Sequence, residues 1–135
     1  MSAPSYTDKV IEMNMQFVLV LLVALGGALG AVLRFAVSSV FPNEGGIGTS
    51  VLIVNVIGCF AITFIMFAFE PGERTIAFLF VGVLGAFTTM SAVSLETFGL
   101  FVSGAAGTAF LNMALNVAAC LGGGFLGWFL SACAA

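Results

Sequence analysis

The sequence predicts an all-α integral membrane protein with four transmembrane helices, and three observations lead there. Of 135 residues, 61% are hydrophobic and only 7% charged, too few charges to cover the surface of a water-soluble core. The apolar residues fall into four runs, at about 16–41, 50–69, 75–102 and 108–133, each long enough to supply the roughly 20 residues that cross about 30 Å of hydrocarbon. The connections "FPNEGGIGT", "EPGER" and "SGAAG" are rich in residues that stop helices and are too short for a soluble domain. One four-helix membrane domain therefore occupies 16–133, behind a polar lead-in over 1–15 that reads as disordered or interfacial and lacks a signal-peptide pattern.

Composition also narrows the chemistry. There is no histidine and no carboxylate cluster, so an enzyme relying on a metal or a general base has almost no residues to work with. Cys59, Cys120 and Cys133 all fall inside predicted spans, are odd in number and match no metal-binding spacing, which implies no disulfide framework. Orientation rests on Lys9, Arg34 and Arg74 alone. A bias of two against one permits either a single orientation or insertion in both directions, with two opposed copies pairing around a two-fold axis in the membrane plane.

Span one carries "GGALGAVLRF", in which Gly26 with Gly30 and Gly27 with Ala31 form small-x-x-x-small pairs that let another backbone approach closely. Arg34 continues that face, and Glu96 lies at a similar distance from the end of span three, which runs in the same direction. A charge in lipid is unfavourable by at least about 2.5 kcal/mol, so the two are expected to face one aqueous vestibule or each other; Arg34 snorkelling to the headgroups is the alternative. In span two, "VNVIGCF" places Asn55, Gly58 and Cys59 on one face. Asn55 reads either as a hydrogen-bonding link between helices or as an amide donor to a passing anion.

Span three is longer than a straight crossing requires and has poor helix formers at Gly85, Thr88 and Thr89 near its centre. A break there would expose carbonyls at one half-helix end and N–H groups at the other, which suit cations and anions respectively. The competing possibility is a continuous helix whose threonines bond back to their own carbonyls. Span four aligns Asn112, Asn116 and Cys120 at four-residue spacing, followed by Gly122, Gly123, Gly124 and Gly127, as expected of a packed, pore-lining helix.

These four features, in this order, resemble the small dual-topology fluoride channels of the Fluc/CrcB family over about residues 16–133. The resemblance implies an antiparallel dimer with two anion pathways, passive export of fluoride across a plasma membrane, and a structural sodium ion held by backbone carbonyls at the break, here Gly85 and Thr88. It maps the family's pore-side asparagine to Asn55, its first-span arginine to Arg34, part of its polar track to Ser91 and its glutamate to Glu96, with Asn112 and Asn116 along the pathway. This chain departs from the family where two phenylalanines present electropositive ring edges to the ion: Met90 and Val93 stand there instead. Met90 is flexible and fills similar volume, whereas Val93 offers no ring. A divergent homodimeric pore, a paralogous partner supplying the phenylalanines, and a non-conducting subunit are the three explanations. A small multidrug-type exporter would need a carboxylate in span one, where only Arg34 is found.

Overall fold

The computed structural model describes residues 6–41 and 47–134, so most of the first predicted connection lies outside the described residues, as does the side chain of Lys9. Four helical segments are long and apolar enough to cross a membrane: Ile11–Val40, Thr49–Phe69, Glu73–Val102 and Ala106–Cys133. They coincide closely with the four predicted runs.

Helix α1 spans Tyr6–Val40 and so begins well before residue 16. Nothing between Tyr6 and Leu25 is glycine or proline, so the polar lead-in continues the helix that the apolar run requires. Helix α2, Thr49–Phe69, stops where Glu70 enters the left-handed region and Pro71 follows, since proline cannot continue the helical ladder. At the other turn, Gly104 has φ +85, and Ala105 N–H and Gly104 N–H donate to the carbonyls of Leu100 and Phe101 at 2.9 and 3.1 Å. This glycine-dependent closure ends α5, Met90–Val102, and lets α6, Ala106–Ala134, run back beside it.

The third span is interrupted. It starts with the single turn α3, Glu73–Thr75, widens into a π-helix over Ile76–Leu84, tightens again in α4, Gly85–Phe87, and stops at Thr88 before α5 begins. Thr88 and Thr89 are extended, with ψ 153 and 116. The break thus falls near the centre of the span, at the threonine pair and just beyond Gly85, which remains helical.

Two seams hold the bundle together, and glycine makes both possible. Along the first, α1 meets the π-helix so closely that a Cβ on Gly26 would strike the Phe78 carbonyl, and one on Gly30 the Val83 carbonyl. The predicted close approach at Gly26 and Gly30 is therefore made within the chain, to the third span. Along the second, α2 packs on α6, where a Cβ on Gly123 would meet the Val56 carbonyl at 3.0 Å and one on Gly127 would collide with that of Phe60. Helix α5 also lies on α6, and the apolar residues left exposed, such as Phe35, Phe98, Phe110 and Phe125, are spread over the outer faces.

Backbone lining a seam cannot yield as a flexible side chain can. Gly127→Val is expected to destabilise the protein by about 1–3 kcal/mol through overpacking, whereas Gly122→Ala, with open space around it, should change stability by less than about 0.5 kcal/mol. Thermal unfolding of the purified variants checks the contrast, and equal losses would refute the assignment of the α2–α6 seam.

Candidate functional site

A main-chain break at bilayer depth leaves donors and acceptors that water cannot reach, so each needs a partner from the protein. Thr88 meets this locally: its N–H and its hydroxyl both donate to the Leu84 carbonyl, each at 3.0 Å. Thr89 meets it across the bundle. Its N–H donates to Asn55 Oδ1 at 2.7 Å, and its carbonyl accepts from Asn55 Nδ2 at 3.1 Å. The Asn55 carboxamide thus pairs with both peptide groups of Thr89, as a neighbouring strand would. Of the two roles open to Asn55, the one seen here is the link between helices, and Asn55 is buried in making it.

This pairing has a consequence for Gly85. In an uninterrupted helix the Thr89 N–H would donate to the Gly85 carbonyl; here that donor is turned to Asn55, which releases the Gly85 oxygen from its helical partner. Gly85 is exposed on the chain, and the extended Thr88 follows one turn later.

On the far side of the break, α5 starts with Thr89 as its N-cap. The Thr89 hydroxyl accepts from the Ala92 N–H at 3.3 Å and lies 3.0 Å from the Ser91 hydroxyl. This first turn lines a cavity of about 480 Å³ together with Arg34, Ser38, Phe35 and Leu95. The cavity is open on one side, and the half-buried Arg34 is its charged residue. A guanidinium, the positive end of a helix dipole and three hydroxyls, those of Ser38, Thr89 and Ser91, therefore share one space, with Val51 and Val54 forming an apolar floor. That combination attracts an anion and offers donors to replace part of its water.

The remaining predicted residues are distributed around this cavity. Met90 is exposed next to it, at the start of α5, while Val93 is fully buried, one turn on and in the core. Asn112 is fully buried and donates to Thr97 Oγ1 at 3.0 Å, joining α6 to α5. Asn116 is buried as well; its Nδ2 donates to the Asn112 carbonyl at 3.0 Å, and its Oδ1 has no hydrogen-bond partner among the described residues. The half-buried Glu96 has its carboxylate against Gly48, immediately before α2, where a helix start favours negative charge and any Cβ on Gly48 would collide. Arg34 and Glu96 thus occupy different surroundings, Arg34 in the cavity and Glu96 at the head of α2.

Three contributors were not singled out from the sequence as site residues: Thr89, Ser38 and Thr97. Thr89 could have been found as a threonine N-cap heading an apolar stretch, and Ser38 as the residue one turn beyond Arg34 on the same face. Thr97 carries no comparable signal, because its partner Asn112 lies on another helix.

Comparison with known proteins bears on this geometry. A family model described as "CrcB-like protein, Camphor Resistance (CrcB)" matches residues 21–128. The "Fluoride-specific ion channel FluC 1" of Methanosarcina barkeri is 41% identical over 102 residues, covering 76% of this chain and 87% of that protein. The "Fluoride-specific ion channel FluC" of Methanococcus maripaludis is 40% identical over 111 residues, covering 80% and 91%. Its counterpart in Ruminiclostridium cellulolyticum is 37% identical over 118 residues, covering 83% and 91%.

The pairing of Asn55 with Thr89 makes a graded expectation. Asn55→Leu leaves two buried peptide groups without partners, at about 1–3 kcal/mol each, and should sharply lower the unfolding temperature. Asn55→Asp keeps an acceptor for the Thr89 N–H and is expected to fall between the two. Unfolding curves in detergent or lipid give the order, and an Asn55→Leu protein as stable as the original would contradict the pairing.

Proposed function

The chain belongs to the CrcB-like family of fluoride-specific ion channels, and from that premise we propose that it is a passive channel through which fluoride leaves the cell across the plasma membrane. The observation that carries this reading is the cavity in which Arg34 faces the first turn of α5. Fluoride is small and holds its water tightly, so a pathway for it must supply compensating donors at close range. Arg34 draws the ion in, and the hydroxyls of Ser38, Thr89 and Ser91 with the α5 N-terminus take the place of its hydration shell. Nothing in this sequence of events makes or breaks a covalent bond, which accords with relatives that are channels rather than enzymes.

One chain does not enclose the cavity, and Met90, Leu95 and Phe98 remain exposed along α5. A second copy inserted in the opposite orientation would cover this face and complete two pathways, in keeping with the near balance of Lys and Arg. Met90 then lies at the joint, as a polarizable side chain where ring edges are absent. Val93, buried in the core, offers no edge at its position. This second observation favours a variant of the same reading, in which a paralogous chain contributes the rings.

The break also fits a structural sodium ion. The Gly85 carbonyl has lost its helical donor to Asn55, Gly85 has no side chain to screen it, and Thr88 adds an extended carbonyl nearby. Two chains related by a two-fold axis would present four such oxygens, a hard-oxygen set that needs no carboxylate. When bound, the ion would supply a positive charge that ties the two breaks together.

Liposomes containing this protein alone, loaded with fluoride and monitored with a fluoride electrode, test the proposal. The original protein should release fluoride, and Arg34→Gln should slow release by about tenfold or more while leaving the dimer and its fold intact. Absence of flux from a correctly assembled antiparallel homodimer would exclude a homodimeric channel. For the cation, replacing sodium with N-methylglucamine should lower the unfolding temperature, and sodium should restore it in a concentration-dependent way. Identical unfolding in both cations would exclude the sodium site.

A further inference from the structure

The anion pathway makes no use of the thiols of Cys59 and Cys120. Cys59 stands one turn beyond Asn55 on α2, and Cys120 faces it from α6 across the glycine seam, where a Cβ on Gly124 would lie 3.8 Å from the Cys59 carbonyl. Both residues are half-buried and carry free thiols. They also share a second cavity of about 480 Å³ with Thr63, Phe67, Phe125 and Trp128, open on its outer side. Cys133 is exposed near the end of α6 and does not line this cavity.

Paired thiols in such surroundings select their ligand by charge and coordination number. A mostly apolar cavity at bilayer depth rejects hydrated ions, and ionising one thiol there without compensation is unfavourable. Exchange that leaves net charge unchanged avoids both penalties. A neutral complex such as mercuric chloride partitions into lipid, and two thiols can replace its two chlorides. Two S–H bonds break and two S–Hg bonds form; each proton leaves with a chloride, and nothing is oxidised or reduced. No group of three potential ligands among His, Cys, Asp and Glu is found among the described residues, which disfavours zinc with its four-ligand preference and suits a soft ion content with two sulfurs.

We propose that Cys59 and Cys120 form a two-thiol site for a soft divalent metal ion that arrives as a neutral complex from the lipid phase and staples α2 to α6. The staple lies one turn from the amide that holds the break in the third span.

Purified full-length protein exposed to mercuric chloride, then challenged with excess 2-mercaptoethanol, tests the site by metal analysis and thermal unfolding. The original protein and Cys133→Ser should each retain one mercury per chain and unfold at higher temperature when loaded. Cys59→Ser and Cys120→Ser, holding the metal through one sulfur, should lose it about tenfold faster or more and show no increase in unfolding temperature. Cys59→Ala and Cys120→Ala provide the same test should a serine variant fold poorly. The proposal is overturned if either single variant retains mercury like the original protein, if retention follows Cys133, or if the original protein retains none.

Discussion

In hydrocarbon, a peptide group that leaves a helix must be given another partner, and here the Asn55 carboxamide provides one for both sides of Thr89. The main features of the site depend on that exchange. Because the Thr89 N–H points to Asn55, the helix cannot close over Thr88 and Thr89, and a new helix must begin at Met90. Its N-terminus and its capping hydroxyl then face the cavity that Arg34 occupies. The same exchange takes from the Gly85 carbonyl the donor that a continuous helix would give it. One side chain on α2 thereby both ends the first half of the third span and sets the start of the second.

The surrounding packing holds this arrangement in place. Gly26 and Gly30 bring α1 against the π-helix, which fixes the first half of the third span and sets Arg34 one turn beyond the contact. Gly123 and Gly127 bring α6 against α2, which fixes the helix that bears Asn55. Asn112 ties α6 to Thr97, so the second half of the third span is anchored too. The buried amides of span four bond within the fold, Asn112 to Thr97 and Asn116 to the Asn112 carbonyl, while the open cavity is bordered by α1, α2 and α5.

Much of this was legible in the sequence because it depends on local properties. Span lengths follow from apolar runs, and the interruption was readable from Gly85, Thr88 and Thr89, all poor helix formers at bilayer depth. Arg34 stood out as a charge in a membrane span, and the glycine spacing announced close backbone contacts. What could not be read depends on which residues meet across the fold. Asn55 and Thr89 are 34 positions apart, and no local pattern in either helix names the other. Nor does periodicity reveal that Val93 and Asn112 turn into the core, or that Glu96 reaches the start of α2. The π-helix over Ile76–Leu84 was equally invisible, since its apolar sequence suits an ordinary helix as well.

In the proposed channel, the break creates an anion site between Arg34 and the first turn of α5. Solid-state NMR of nitrogen–fluorine dipolar dephasing, on labelled protein in lipid bilayers with bound fluoride, tests it most directly. Fluoride bound there should selectively dephase the Met90 and Ser91 amides and the Arg34 guanidinium nitrogens. Dephasing confined to other residues, or none at these positions while fluoride is bound, would contradict it.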